Sequence, residues 1–334
     1  MTDARTFTVS EDDDGIRLDR WFKRHMPEVS FNIVSRWART GQLRLDGKKA
    51  VPGDRIEVAQ KISMPASVEA PQRPARAQPR RNSLAEEEIE FVREMVVFED
   101  PHAFVLNKPP GLATQGGTKT TKHLDRLLDG LANDDGDRPK LVHRLDKDTS
   151  GCLLVAKTRF AAAALAKNFR SRSARKIYWA LVAGVPRPRQ GRVSTFLAKE
   201  EREDESMMRI ARHGEENASH AVTYYAVVET AAQKLAWLSL KPVTGRTHQL
   251  RAHMEHIGHP IIGDEKYFRI ENYEFPGGMQ NKLHLLARRI AIPHPRGGGT
   301  IDVTAPLPPH MEQSWNLLGF DAKRYDPIVD APED

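Results

Sequence analysis

The middle of the chain holds a polar loop that runs directly into an apolar segment. Residues 141–151 read Leu-Val-His-Arg-Leu-Asp-Lys-Asp-Thr-Ser-Gly, and residues 152–156 read Cys-Leu-Leu-Val-Ala. A loop that enters a buried strand places its side chains at a sheet edge, where functional residues concentrate. Turn formation explains the same Asp, Thr, Ser and Gly residues equally well. Taken alone, the loop makes Asp146 a candidate for chemistry and predicts that Cys152 lies in the core.

The sequence around this loop predicts a mixed fold. Strand-like apolar runs recur at residues 95–98, 104–106, 153–155, 177–182, 224–228 and 235–240. Helical periodicity is scarcer and joins Phe160 to Leu165 and Phe169 in one segment, and Leu250 to Met254 and Ile257 in another. These proportions predict an α+β domain over residues 91–325, in which flanking helices cover a mixed, largely antiparallel sheet.

The N-terminal region, residues 13–62, predicts a separate small α/β domain. Helices are expected at residues 16–22 and 30–38, the second with Ser30 as a cap and Gly41 at its end. Short strands are expected at residues 43–45 and 55–58. The next segment, residues 63–90, is rich in Pro, Ala and Arg, which predicts an extended, flexible linker.

The positions of the basic residues are more informative about a binding partner than the net charge of the chain. The net charge is +6, yet residues 17–55 alone hold ten basic and four acidic residues. Residues 158–176 hold six basic residues and no acidic one. A solvated helix face explains one such cluster, but two clusters in one chain favour a polyanionic partner. Phosphate contacts of this kind supply affinity and little sequence preference.

Several classes of protein are excluded or disfavoured. A single cysteine excludes a disulfide framework. No long uncharged apolar segment occurs and none follows the N-terminal residues, so we expect neither a signal peptide nor a membrane span, and a cytoplasmic location. Four histidines, at 248, 253, 256 and 259, lack the i,i+4 pairing of helical zinc sites. We therefore expect no metal, and His143 and His248 are expected to orient neighbouring loops.

Four segments together resemble the RluA family of pseudouridine synthases. His143-Arg144-Leu145-Asp146, two polar residues and Thr149-Ser150-Gly151 are similar to its longest motif. In the same order along the chain stand the three other segments, Asn107-Lys108-Pro109-Pro110-Gly111, Lys176-Ile177-Tyr178-Trp179-Ala180 and Thr244-Gly245-Arg246-Thr247-His248-Gln249-Leu250-Arg251. The resemblance spans about residues 96–306, and residues 13–62 separately resemble an S4 RNA-binding domain. This pairing is similar to family members that modify large-subunit ribosomal RNA.

The resemblance implies roles for the matching residues. Asp146 would be the catalytic aspartate, Tyr178 would stack on the target uracil and serve as the last base, and Arg251 would pair with Asp146. Arg144 would hold the space left by an extruded base. The remaining substrate-binding residues would be Leu250, Lys176 and His143. In the S4-like domain the expected RNA-binding residues are Arg17, Arg20, Arg36, Arg39, Arg44 and Lys48.

The reaction implied by the family needs no cofactor. Isomerisation breaks the N1–C1′ bond of uridine, turns the uracil and joins C5 to C1′, with no redox change and no group lost. An ionised Asp146 can attack C1′ or remove the C2′ proton, and a guanidinium nearby favours that charged form. The target base must leave its stack, which favours loops and bulges in RNA. We expect a monomer that acts on RNA, and the expected substrate is 23S ribosomal RNA.

Alternative interpretations remain open at this level. A strand tyrosine such as Tyr178 is usually packed in a core, and Arg251 is four residues from Glu255, as in an ordinary helical ion pair. The chain could instead modify transfer RNA, or be a non-catalytic S4-type ribosome factor. A hydrolase that uses two carboxylates would take Asp148 as the partner of Asp146.

Overall fold

The computed structural model describes residues 4–26, 28–65, 84–116, 122–133, 136–202, 205–271, 273–274 and 276–331. These residues form two compact units. One holds the described residues up to 65 together with residues 158–160, and the other holds the remainder from residue 84. Most of the expected linker, residues 66–83, lies outside the described residues.

The N-terminal unit packs two helices on a small antiparallel sheet. The helices are Leu18–His25 (α1) and Phe31–Arg39 (α2). The strands are Ala4–Thr8 (β1), Arg44–Leu45 (β2), Lys48–Lys49 (β3) and Lys61–Pro65 (β4), in the order β1-β4-β2-β3. The core is formed by side chains that include Leu18, Trp21, Phe22, Trp37 and Ile56. It is a small α/β unit of its own, built around apolar residues of both helices.

Two details of this unit differ from the sequence-based prediction. The first strand begins at Ala4, so the unit starts before residue 13, and β4 extends to Pro65. Residues 55–58 form no strand apart from an isolated bridge between Arg55 and Arg17. Ile56 is nevertheless fully buried. In the sequence, an apolar loop residue that packs into the core cannot be distinguished from a buried strand residue. This similarity explains the wrong prediction of a strand at residues 55–58.

Among the described residues, five α-helices belong to the second unit, except that the first two residues of the third helix are grouped with the first unit. They are Glu86–Glu94 (α3), Leu124–Leu127 (α4), Arg159–Arg170 (α5), Gln249–His256 (α6) and Pro309–Leu318 (α7). The first of these lies partly inside the expected linker, so the linker prediction is wrong for residues 86–90. Three Glu residues occupy the first turn of α3, where they interact favourably with the helix dipole. No helix among the described residues is long and apolar enough to span a membrane.

A large sheet forms the centre of this unit. Its strands are Val96–Glu99 (β5), Ala103–Lys108 (β6), Lys140–Leu141 (β7), Ser150–Ala156 (β8), Arg175–Ala183 (β9), Gln190–Arg202 (β10), Glu205–Ala211 (β11), Ser219–Ala231 (β12), Leu235–Pro242 (β13), Leu285–Pro293 (β14) and Thr300–Thr304 (β15). The main order is β11-β10-β12-β13-β9-β14-β8-β6-β5, while β15 pairs with β14 and β7 with β8. Among the described strand pairs only β8 and β14 are parallel. The predicted α+β class with a largely antiparallel sheet is confirmed.

The central strands are covered on both faces, and β9 shows how the two faces differ. Ile177, Trp179 and Leu181 point into one core with α5 and α7. Tyr178 and Ala180 point to the opposite face, where α6 packs. Because side chains alternate along a strand, Lys176 shares the face of Tyr178. This alternation brings β9 side chains towards the loop that contains Asp146.

Candidate active site

The backbone on both sides of Asp146 is held by a neighbouring segment. Thr114 Oγ1 donates to the carbonyl oxygen of Leu145 at 2.6 Å and accepts from its amide at 3.2 Å. On the other side, the carbonyl of Lys147 accepts from Lys108 Nζ at 2.8 Å and from the Gly111 amide at 3.0 Å. Asp146 therefore projects from a loop whose path is fixed one residue before it and one residue after it.

Lys108 is the central support of this loop. Its side chain is fully buried, and its ammonium also donates to the carbonyls of Pro109 and Leu112, at 2.9 and 2.8 Å. Burial lowers the pKa of Lys108 to about 7, while the charges of Asp148 and Asp146 oppose that shift. In the sequence this lysine lies in the family-like segment 107–111, and no role was expected for it. Its position at the end of an apolar strand was the one feature of the sequence that could have indicated a buried, supporting lysine.

A glycine lets the loop re-enter the sheet. Gly151 has a φ of +103°, and a Cβ at this position would lie 2.3 Å from the carbonyl oxygen of Ala287. The close approach permits the parallel pairing of Gly151 with Ala287 and of Ser150 with Leu286. A side chain would push β8 away from β14 and would move the C-terminal end of the Asp146 loop.

The side chain of Asp146 lines a cavity of about 90 Å³. The cavity is lined by residues of the loop, of β9 and of the segment 242–251. Six of the seven expected catalytic and substrate-binding residues line it, namely Asp146, Tyr178, Arg251, Arg144, Leu250 and Lys176. The Asp146 side chain retains 21% of its exposure, so the carboxylate is accessible from solvent. The structure thus brings together residues that are more than a hundred positions apart in the chain.

His143 is the expected residue that does not line this cavity. Its Nε2 accepts a hydrogen bond from the Leu154 amide at 2.9 Å, and its ring packs against Phe169 with centroids 4.6 Å apart. Burial, and secondarily the charge of Lys176, lower its pKa to about 3. The imidazole is therefore neutral and ties the start of the loop to β8. This agrees with the loop-orienting role and not with direct contact with substrate.

The expected ion pair between Arg251 and Asp146 is replaced by another. Arg251 Nε and Nη2 donate to the two carboxylate oxygens of Asp264, at 2.7 and 2.6 Å. Among the described residues, Arg251 has no ion pair within 4.0 Å with Asp146 or Glu255. Asp264 is completely buried and needs a cation to offset its desolvation, whereas Asp146 keeps contact with water. The guanidinium of Arg251 therefore binds the buried carboxylate of Asp264 and not that of Asp146.

The charge of Asp146 still affects the pKa of Arg251, although the two side chains form no ion pair. Burial works against its charge, but the hydrogen bonds to Asp264 and the charges of Asp264 and Asp146 outweigh that effect, so its pKa is raised. Its guanidinium also lies over the ring of Tyr267, 5.1 Å from the centroid. Arg251 is consequently held rigidly in the cavity wall by Asp264 and Tyr267.

Among the described residues, His248 is the basic side chain that lies within 4.0 Å of Asp146. Its Nε2 lies 3.9 Å from Asp146 Oδ2, and its Nδ1 lies 3.1 Å from the hydroxyl of Tyr267. The residue has a φ of 50°, in the left-handed region, directly before α6. Burial lowers the pKa of His248, and Asp146 opposes this. A strained backbone at this position is of the kind that functional sites retain.

The segment before α6 is organised by a buried polar network. Gln249 Oε1 accepts from Thr244 Oγ1 at 2.6 Å and from the Arg246 amide at 3.1 Å. Its Nε2 donates to the Val222 carbonyl at 2.9 Å. One turn along α6, His253 lies 2.9 Å from the hydroxyls of both Thr195 and Thr223.

Among the described residues, no group of three or more His, Cys, Asp or Glu residues could hold a metal ion.

Tyr178, on β9, forms another part of the cavity wall. Its ring packs against the apolar residues of two clusters. Burial, followed by the charges of Asp146 and Cys152, raises the pKa of Tyr178 well above its ordinary value. The phenol is therefore neutral at physiological pH and offers an aromatic face. Formation of a phenolate base is disfavoured in this environment.

The six basic side chains expected to bind RNA are all exposed in the N-terminal unit, and they are Arg17, Arg20, Arg36, Arg39, Arg44 and Lys48. Two of them have local partners. Arg17 forms an ion pair with Asp19 at 3.1 Å, and Arg44 donates to the Gly47 carbonyl at 2.9 Å. Arg36 and Arg39 lie in the last turn of α2.

Comparisons with known proteins converge on one class of enzyme. A family profile described as RNA pseudouridylate synthase matches residues 102–256. The chain is 32% identical to the mitochondrial RNA pseudouridine synthase 4 of Arabidopsis thaliana, over 95% of this chain and 82% of that protein. It is also 32% identical to ribosomal large subunit pseudouridine synthase C of Rickettsia bellii, over 89% of this chain and 96% of the relative.

Solved structures give the same result. The fold is similar to that of the protein named human RNA pseudouridylate synthase domain containing 4, with a TM-score of 0.59 and 26% identity. That similarity covers 70% of this chain and 96% of the human chain. A second human protein, RNA pseudouridylate synthase domain containing 1, has a TM-score of 0.52 with the same coverage.

Proposed function

Because this chain belongs to the RluA family of RNA pseudouridine synthases, we propose that it converts specific uridines of 23S ribosomal RNA into pseudouridine, with Asp146 as the essential residue. The choice of large-subunit RNA is supported by relatives named ribosomal large subunit pseudouridine synthase C in Rickettsia bellii and Vibrio cholerae. Both are about as similar to this chain as the plant relative.

The observation that carries the mechanism is the position of one carboxylate. Asp146 lies on a doubly anchored loop, faces a cavity with Tyr178 and Arg251, and remains accessible to solvent. A nucleotide extruded from its stack can reach such a group. The ionised carboxylate then attacks C1′, or removes the C2′ proton, so that the N1–C1′ bond breaks.

The remaining cavity residues have complementary roles in this proposal. The face of Tyr178 stacks on the uracil, while Leu250 forms the apolar wall beside it. Arg251, immobilised by Asp264, supplies positive potential near Asp146 without a direct ion pair. The exposed Arg144 occupies the space that the extruded base leaves in the RNA.

A hydrolase mechanism with two carboxylates has less support. Asp148 lines a neighbouring cleft with Lys147, Lys266 and Lys282, whereas Asp146 lines the smaller cavity described above. A paired acid and nucleophile must face the same scissile bond. The separation of the two carboxylates into different clefts favours an isomerase that uses Asp146 alone.

The N-terminal unit acts, in our proposal, as an S4-like RNA-binding domain. Its six exposed basic side chains are available to contact phosphates. We propose a monomeric, cytoplasmic enzyme. It needs no redox cofactor because isomerisation exchanges no electrons with another molecule, and we propose that it uses no metal.

Pseudouridine mapping of total RNA tests this function directly. Three strains are compared: the parent, a deletion strain, and the deletion strain that carries the Asp146→Asn variant. We expect defined 23S sites to lose pseudouridine in the second and third strains. Loss confined to transfer RNA would redirect the substrate, and unchanged pseudouridine throughout would contradict the proposal.

A further inference from the structure

Lys176 lies on β9 two residues before Tyr178. Side chains two residues apart on a strand point to the same face and are separated by roughly 7 Å. Both residues line the cavity that contains Asp146. On the neighbouring strand β14, Lys176 is in register with Ile290 and Tyr178 with Ala287. Lys176 and Tyr178 therefore lie side by side on one wall of the cavity that contains Asp146.

Within the part of the chain that the structure describes, the ammonium of Lys176 is unpaired. Among the described residues it makes no hydrogen bond and no ion pair within 4.0 Å. The side chain is half-buried, and burial lowers its pKa without any carboxylate that opposes the shift. Lys108 shows the contrast, because three carbonyl oxygens satisfy its buried ammonium. An uncompensated, partly buried cation costs free energy of folding, so a role outside folding is required to explain it.

The other cations of the cavity are engaged or peripheral. Arg251 is bound to Asp264, and Arg246 Nε donates to the His220 carbonyl at 3.2 Å. Arg144 is exposed. His248 also lines the cavity, but it lies between Asp146 and the Tyr267 hydroxyl, and burial lowers its pKa. Among the described lysines and arginines of the cavity, Lys176 is therefore the inward one that remains available for a negatively charged group of the substrate.

The reaction creates such a charge on the uracil. When the N1–C1′ bond breaks heterolytically, its electron pair passes to the base and spreads over N1 and the two carbonyl oxygens. The ring then turns, its C5 supplies the pair for the new bond to C1′, the C5 proton leaves, and N1 is protonated. The atoms balance without any co-reactant. The intermediate anion is the species that a positioned cation stabilises most.

We propose that Lys176 donates to a carbonyl oxygen of the target uracil and stabilises the uracil anion after N1–C1′ cleavage. The role rests on the proposed function and adds a catalytic residue to it. Tyr178 fixes the plane of the base, Asp146 acts on the sugar, and Lys176 acts on the leaving group.

The test compares Lys176→Met with the control Lys323→Met, which removes an exposed lysine outside the cavity. Single-turnover rates are measured at saturating protein on a 23S fragment that contains the target uridine. We expect Lys176→Met to be slowed roughly 10²- to 10³-fold, with RNA affinity within threefold of wild type. Lys176→Arg should recover part of the rate, and the control should match wild type.

A second substrate identifies the step. In a fragment with 5-fluorouridine at the target, fluorine makes the base a better leaving anion, so the defect of Lys176→Met in consumption of the target nucleotide should shrink at least tenfold. An equal defect on both substrates would overturn the proposal. So would weaker RNA binding with an unchanged rate at saturation, which would indicate a phosphate contact.

Folding provides an independent control. Removal of an uncompensated cation should leave the free energy of unfolding of Lys176→Met unchanged or higher, whereas a structural role would lower it. If this variant does not fold, Lys176→Gln is measured in the same way. An inactive wild type on every RNA would refute the proposed function itself, while an active wild type with an equally active Lys176 variant would refute only this inference.

Discussion

Arg251 and Asp264 form a doubly hydrogen-bonded ion pair in the cavity wall, with donor–acceptor distances of 2.7 and 2.6 Å. Both side chains are almost completely buried, with 5% and 0% of their surface exposed. Asp264 also accepts from the amides of Lys266 and Tyr267, at 3.0 and 3.1 Å. One carboxylate therefore fixes both the arginine of α6 and the turn that follows it, and places Arg251 beside Asp146 without binding Asp146.

The Asp264→Asn variant should destabilise the protein by about 3–5 kcal/mol, because the substitution leaves the Arg251 charge buried and unpaired. Urea unfolding measures the change. The exposed pair Arg289–Asp302 provides a matched control, and Asp302→Asn should cost less than about 1 kcal/mol. Equal effects of the two substitutions would show that the buried pair does not anchor the wall. A double variant, Arg251→Met with Asp264→Leu, should regain stability but not activity.

Tyr178 should act through its ring more than through its hydroxyl. Its raised pKa disfavours the phenolate that a base would need. Turnover of Tyr178→Phe should therefore stay within about tenfold of wild type, whereas Tyr178→Ala should lose at least 10²-fold because base stacking is lost. Steady-state release of tritium from C5 measures both variants. If Tyr178→Phe were as inactive as Tyr178→Ala, the result would contradict this prediction and would indicate that the hydroxyl takes part in proton transfer.

The basic face of α2 should contribute to RNA affinity through phosphates. Substitution of Arg36 and Arg39 by Gln should reduce the slope of log affinity against log salt by roughly 1.5, since each phosphate contact adds about 0.7–0.9. Filter binding from low to moderate salt measures the slope. The pair Lys234→Gln and Lys323→Gln removes the same charge from exposed positions of the second unit. An unchanged slope in the α2 variant would argue against an S4-like contact.

His253 should make the protein sensitive to acid. Burial, with smaller effects of His256 and His220, lowers its pKa to about 4 from 6.5, so the folded state holds the imidazole neutral. Between these values the unfolded chain binds a proton that the folded chain does not, and stability falls as the pH drops from 6.5 towards 4. His253→Gln should remove about 2–3 kcal/mol of the stability loss between pH 7.0 and 4.5.

Urea unfolding at the two pH values measures that difference. His213 is an exposed histidine of the same unit and provides the control substitution, His213→Gln. Identical pH dependence in wild type and His253→Gln would show that His253 is not the source of the acid sensitivity.

The sequence predicted the fold class because the strands have long apolar or alternating runs. It predicted the cavity residues because the motifs resemble those of a known family. Local pattern could not show which carboxylate Arg251 would bind, since Asp264 is brought to it by the turn after α6. In the same way, a loop residue such as Ile56 resembles a strand residue until its tertiary burial is known.

Other features of the site depend on contacts between distant segments. Lys108 and Lys147 are 39 residues apart, yet their hydrogen bond fixes the Asp146 loop. His143 lies in the same motif as Asp146, but its imidazole accepts from the Leu154 amide and supports β8. A motif identifies which residues gather near a site, whereas hydrogen-bond partners decide which of them face the substrate.

The most direct measurement concerns Asp146 itself. Ribosomal RNA fragments labelled with tritium at uracil C5 are incubated with wild type and with Asp146→Asn, and released tritium, free uracil and RNA length are followed together. We predict tritium release by wild type with intact RNA and no free uracil, and no release by Asp146→Asn although it binds RNA within several-fold of wild type. Tritium release by the variant at the wild-type rate would contradict the mechanism.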